Sequence, residues 1–146
     1  MNIVAIGAHP DDLEIFAYGF LAAASSRGDN LILGVATDGA AGGVNQGAEL
    51  ARQRADEARN GLAALGTPTL LDLPDGQLAD APNAQNRIKD FIRDAAPDLV
   101  ITHAPEDYHP DHRALAAYAR DAAGFICPVL FCDTLMGVGF TPDYYI

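Results

Sequence analysis

Short apolar runs alternate with stretches of helical spacing along the whole chain, and this alternation limits the possible folds more than any other feature. Residues 2–8, 31–36, 69–73, 99–102 and 129–132 are apolar runs, and a further strand is expected to begin at 144–146. Between them, residues 12–27, 48–65, 83–95 and 111–123 carry apolar side chains at helical intervals. Leu13, Phe16, Phe20 and Ala24 form one such stripe. Gly66 stands where the second helix should stop, and Pro110 where the fourth should start. Runs that are apolar throughout mark strands buried on both faces. Strands separated by helices build a parallel sheet covered on both sides. The expected fold is therefore α/β, a Rossmann-like three-layer sandwich with a mainly parallel sheet. At 146 residues and 49% hydrophobic, residues 1–146 suffice for a single domain with its own core.

The charge balance excludes several partners. A net charge of −11 repels phosphate backbones and anionic membranes, so neither nucleic acid nor a membrane is expected as a partner. No apolar stretch reaches the roughly 18 residues a span requires. The first residues, Met1-Asn2-Ile3-Val4, have no basic leader and enter a strand at once, which points to a cytoplasmic protein. Cys127 and Cys132 are five residues apart in a strand-like run and should face opposite ways, as core thiols rather than a disulfide. A G-x-G-x-x-G turn does not follow the first strand, which argues against a dinucleotide site.

Open parallel sheets bind ligands beyond the carboxyl ends of their strands, where the strand order reverses. The first strand runs into His9 and the fourth into His103, so the loops after them should face each other across one crevice. All four histidines lie there: His9 in the first loop, and His103, His109 and His112 in the second. In His9-Pro10-Asp11-Asp12, a tight turn brings His9 and Asp12 to one point. An imidazole with a carboxylate suits zinc, iron(II) or a similar divalent ion. Asp11 then points elsewhere and is free to act as general base. His112 sits in the first turn of a helix, whose positive end favours the neutral ring a metal needs. His109 lies one turn earlier, placed as an outer partner or as an electrophile for an oxyanion, with Asp111 to orient it. Two histidines and one carboxylate leave coordination positions open, as a catalytic site requires. Arg113 is the one cation of the second loop, too little for a phosphate clamp.

At these residues the chain resembles the LmbE/PIG-L family of metal-dependent N-deacetylases. Ala8-His9-Pro10-Asp11-Asp12 matches the family's first motif. His109-Pro110-Asp111-His112, preceded by Asp107, matches its second. Arg54-x-x-Glu57 with Leu65-Gly66, and Leu73-Pro74-Asp75-Gly76, are also similar to family segments. The resemblance implies a zinc hydrolase that removes an acetyl or other acyl group from the amide nitrogen of an amino sugar or related small molecule. It implies His9, Asp12 and His112 as metal ligands, Asp11 as base and then acid, and His109 as the group that polarises the carbonyl, tuned by Asp111. Arg54 and Asp107 are its candidate substrate contacts, although Arg54 could equally form a surface pair with Glu57. The chain departs from the family pattern at Leu13, which follows the two aspartates where many members have glutamate. It departs again at Phe16-Ala17-Tyr18-Gly19-Phe20, where members are often glycine-rich. Members are usually longer, so the chain is expected to lack the usual C-terminal elements, as a fragment or a minimal member. An open sheet edge there would favour a homo-oligomer. Two alternatives remain: a metal-binding member without catalysis, and a metal hydrolase for another small amide or ester.

Overall fold

The arrangement of five strands sets where the functional loops emerge. The computed structural model describes residues 1–44, 46–133, 141 and 143–145. Strands β1 (Asn2–Gly7), β2 (Asn30–Thr37), β3 (Thr69–Leu73), β4 (Leu99–His103) and β5 (Val129–Cys132) form one sheet in the order β3-β2-β1-β4-β5. Every pairing is parallel, as continuous apolarity predicts. Successive residues of β1 face opposite layers. Val4 and Ile6 pack with Ile88 and Ile92 of α4 (Ala84–Asp94) and with Leu115 and Ala119 of α5 (Pro110–Ala123). Ile3 and Ala5 pack with Leu13 of α1 (Asp12–Phe16), Leu21 of α2 (Tyr18–Ser26) and Leu62, just beyond α3 (Ala48–Gly61). The result is a three-layer α/β sandwich.

The order reverses between β1 and β4, so the loops leaving these strands lie side by side, as the sequence predicts. Hydroxyls tie the strand ends together beneath them. Thr37 Oγ1 donates to the Ala8 carbonyl (2.7 Å), and Thr102 Oγ1 donates to that of Ile6 (3.0 Å). Gly7 ends β1 because a Cβ there would stand 2.7 Å from the Cβ of Asp12; only glycine lets that aspartate fold back over the strand.

Some boundaries differ from those the sequence predicts. Residues 12–27 form two helices, broken at Ala17 (φ −126°, ψ −10°). The buried stripe is Leu13, Ala17, Leu21 and Ala24, while Phe16 and Phe20 are half-buried. Periodicity cannot detect such a break. Here the turn carries the Phe16 ring to the His103 ring, edge-on at 4.7 Å. Helix α3 ends at Gly61, and residues 62–65 form turns before Gly66. Tyr144 and Tyr145 belong to no strand, and Ile146 lies outside the described residues. Cys127 precedes β5 and packs against the α4–α5 layer, whereas Cys132 packs against the other. Both are free, and burial pushes the Cys132 thiol up to about 11. No helix among the described residues is long and apolar enough to cross a membrane.

Candidate active site

His9, Asp12 and His112 meet between the two loops. His9 Nδ1 lies 3.1 Å from His112 Nε2 and 3.4 Å from Asp12 Oδ2, and His112 Nε2 lies 3.5 Å from Asp12 Oδ1. A zinc ion bound at roughly 2.0–2.1 Å from each donor would hold tetrahedral ligands about 3.3 Å apart. The two ring nitrogens stand near that spacing, and each lies close to a different oxygen of the Asp12 carboxylate. Among the described residues, the sets whose donor atoms come close enough together to hold one ion are His9, His109 and His112; Asp12, His103 and His112; and His9, Asp75 and Asp111.

Each of the three has a second partner behind it. His9 turns Nε2 to Asp111 Oδ2 (3.3 Å) and Asp75 Oδ1 (3.2 Å). His112 turns Nδ1 to Asp107 Oδ2 at 2.9 Å, off the line of a hydrogen bond. Asp12 Oδ2 lies 3.0 Å from His103 Nε2 and accepts the His9 backbone N–H at 2.6 Å. The Ala8 N–H also points at His103 Nε2 (3.0 Å), which would require the opposite tautomer. The carboxylate is the stronger acceptor and takes the His103 proton. Carboxylates behind histidine ligands fix the ring and raise its basicity.

These contacts shift the titrating groups. Burial opposes the charged form of Asp12, but hydrogen bonds from His103 and His9 outweigh it and hold the carboxyl far below the usual range. Burial also works against His9, yet Asp12, Asp75 and Asp111 together raise it. His112 is lowered, first by burial and then by the His103 ring stacked on it at 3.7 Å. The sequence predicts a neutral His112 from the helix end; in the folded chain burial and a neighbouring ring bring that about. His109 is lowered by burial and by His9, against the opposing pull of Asp111.

Asp11 stands apart from the cluster of His9, Asp12 and His112, with its side chain 47% exposed and lining the cleft. Its Oδ2 accepts from Arg54 Nη2 at 2.8 Å. Burial raises its pKa and Arg54 pulls it down, with a net rise. Arg54 meets Glu57 only at 3.9 Å. His109 caps α5, its Nδ1 accepting the Asp111 N–H at 3.2 Å. That contact leaves Nε2 to carry the proton of the neutral ring. The Asp111 carboxylate accepts from the backbone N–H groups of Gly76 (2.7 Å) and Leu78 (3.0 Å), so it reaches His9 directly and His109 only through its charge. Asp107 is buried and accepts the His109 N–H at 2.9 Å.

Sequence reasoning gives no role to His103 or Asp75. His103 ends a buried strand, and Asp75 belongs only to a segment similar to the family's. Their strand-end positions are the available signal. Above these groups opens a cleft of about 940 Å³, with Ile15, Phe16, Phe20 and Tyr108 in its wall. Arg54 is its one Lys or Arg among the described residues.

Comparison with known proteins places this geometry. Residues 4–123 match the family model PIG-L: GlcNAc-PI de-N-acetylase. An uncharacterized deacetylase of Escherichia coli, YaiS, is 31% identical over 144 residues, covering 91% of this chain and 74% of YaiS. The conserved protein TT1542 from Thermus thermophilus superposes with a TM-score of 0.82 at 26% identity, over 99% of this chain and 70% of that one. The N,N'-diacetylchitobiose deacetylase from Pyrococcus horikoshii superposes with a TM-score of 0.76 at 28% identity, over 84% of this chain but only 49% of its own. With the match running from β1 to the end of α5 and so through both loops, the chain belongs to the PIG-L, GlcNAc-PI de-N-acetylase, family.

Proposed function

We propose that this protein is a metal-dependent hydrolase, with zinc the first candidate, that removes an acetyl or other small acyl group from the amide nitrogen of an amino sugar or related small molecule. The observation that carries this reading is the meeting of His9, Asp12 and His112 at a cleft, with the two ring nitrogens 3.1 Å apart and the Asp12 carboxylate offering one oxygen to each at 3.4 and 3.5 Å, and with Asp11 outside the cluster. The donor set of two imidazoles and a carboxylate also suits iron(II). When bound there, the metal would supply Lewis acidity, lowering the pKa of water and polarising the carbonyl.

The residues of the chain divide the remaining work. Asp11 takes the proton of the attacking water and hands it to the leaving nitrogen, so the products are a carboxylate and an amine. Its raised pKa makes it the stronger base for the first of these transfers. His109, neutral and protonated at Nε2, offers a hydrogen bond to the oxygen that gains charge. Asp111 keeps His9 oriented, and the Asp107 carboxylate stands beside His112 Nδ1 as its charge partner. The wall of Ile15, Phe16 and Phe20 suits the apolar face of a sugar or its substituent. A cleft with one paired arginine and several carboxylates does not favour an anionic substrate.

The test combines metal analysis with one substitution. The purified protein is expected to hold about one divalent ion per chain, and Asp11→Asn should retain it while amine release from N-acetylated amino sugars falls by about 10²–10⁴-fold. Protein that takes up no metal removes the central claim, and normal turnover by Asp11→Asn removes Asp11 as the base.

A further inference from the structure

Asp11 occupies backbone space that aspartate seldom visits. Its φ is 133° with ψ −19°, in the region that favours glycine. Such a conformation is costly and persists only where the surroundings impose it. Asp11 sits at the N-cap position of α1, where an aspartate would ordinarily accept a backbone N–H from the helix, yet it makes no capping bond. Its carboxylate is turned instead towards α3.

Arg54 meets it there. One nitrogen, Nη2, donates both to the Pro10 carbonyl at 2.6 Å and to Asp11 Oδ2 at 2.8 Å. The first bond grips the peptide that leads into the strained residue, and the second grips the carboxylate itself. The arginine is not free to roam. Its side chain is only 25% exposed, against 47% for that of Asp11, and its Nε is buried without a partner. Space for the clamp comes from a third element. Gly39, in the loop after β2, has a φ of +66°, and a Cβ there would stand 2.9 Å from Pro10 Cδ and 3.4 Å from Arg54 Cβ. A larger residue would push apart the two segments that Arg54 joins.

We propose that Arg54 is a positioning residue rather than a substrate contact: it holds the Pro10–Asp11 turn in its strained form and aims the Asp11 carboxylate. The proposal rests on the reading of Asp11 as general base, and it assigns Arg54 no contact with the reacting atoms. Both bonds come from Nη2, so the nitrogen nearest the cleft-lining aspartate is already spent on the turn. Loss of the clamp lets the turn relax, and a displacement of about an ångström at a catalytic group can cost about 10²-fold in rate.

The experiment uses zinc-loaded full chains of the native protein, Arg54→Ala and Arg54→Lys. A crystal structure of Arg54→Ala is expected to show Asp11 out of the positive-φ region, with its carboxylate displaced by about 1 Å or more. An unchanged Asp11 there overturns the proposal, whatever the activity. Calorimetric zinc affinity should stay within about threefold of native, because the ligands are not touched. On an N-acetylated amino sugar, Arg54→Ala should lower kcat by about 10²-fold while KM holds within about threefold, and guanidinium ion should restore part of the rate. Arg54→Lys keeps the charge and loses the fork, so it should recover only part. A raised KM with native kcat would mark Arg54 as a substrate contact and overturn the proposal. If the native chain releases no amine from any such sugar, the proposed reaction fails, while the crystal structure still decides the role of Arg54.

Discussion

The loop after β1 and the loop after β4 supply one cleft, but they are held in different ways. The β4–α5 loop is largely self-supporting. The Asp107 N–H donates to the Ala104 carbonyl, Asp107 Oδ1 accepts the His109 N–H, and His109 Nδ1 accepts the Asp111 N–H. Arg113, one turn into α5, donates to the carbonyls of Asp107 and Tyr108 at 2.7 and 2.8 Å. Each of these bonds spans six residues or fewer. The β1–α1 loop has only two comparable local bonds among the described residues, from the His9 N–H to the Asp12 carboxylate and from the Asp12 N–H to the His9 carbonyl. Its other supports come from far along the chain: Arg54 on Pro10 and Asp11, Thr37 on Ala8, and His103 on Asp12. The loop that carries the proposed base is thus shaped from outside, and the loop that carries the proposed oxyanion donor is shaped from within. Externally imposed strain is costly, and it is tolerated where a side chain must be aimed in a direction its own helix would not choose.

The largest test of this contrast is at the residue that joins the loops. Asp12 contacts His9 on one side and His103 and His112 on the other. Loss of an outer partner of a metal ligand commonly costs about 10–100-fold in affinity, so Asp12→Ala, which removes a proposed ligand, should cost at least about 100-fold in zinc binding measured by calorimetry. Retained affinity would mean that the alternative trio of His9, His109 and His112 holds the ion. A smaller effect is expected from Asp107→Ala, which removes a support of the second loop alone. It frees the His109 N–H and the back of His112, and zinc affinity should fall by about 10–100-fold with Asp11 unmoved. If the strained turn at Asp11 shifts as well, the two loops are not independently held.

The smallest effect lies in the pH dependence of the metal-free protein. His9 is raised above 6.5 in the folded state by its three carboxylates, so its stabilisation is complete below the unfolded value and is lost as pH rises through the folded one. His112 is lowered, so its protonation costs stability as pH falls below the ordinary value. In chelator, from pH 8 to pH 5, the Tm of His9→Asn should therefore lose ground to native, and that of His112→Asn should gain. Parallel curves would show that the two loops do not hold their histidines in opposite ways.

Much of this site is legible in the chain itself. The ligand candidates stand out because a turn of four residues places His9 near Asp12, and because a capped helix start places His112 beyond His109. These are short-range relations, and the chemistry of imidazole and carboxylate narrows them further. The partners are not legible in the same way. Asp111 adjoins His112 and by its position should serve His109, but its carboxylate is drawn to the backbone of Gly76 and Leu78 and so to His9. In sequence, Arg54 resembles a partner of Glu57, three residues on, as much as a substrate contact; in the fold it reaches Glu57 only at 3.9 Å and is committed to Pro10 and Asp11 instead.

What the sequence alone determined was the layered sheet, the strand ends from which the two loops spring, and the residues able to bind a metal or move a proton. Apolar periodicity and local turns specify those, since each depends on neighbours within a few residues. Only the tertiary structure decided which side chain stands behind which: His103 behind Asp12, Asp111 and Asp75 behind His9, Arg54 on a strained Asp11. Those contacts cross from 43 to 102 residues of chain. They exist because β1 lies between β2 and β4, and no pattern within a single segment encodes that neighbourhood.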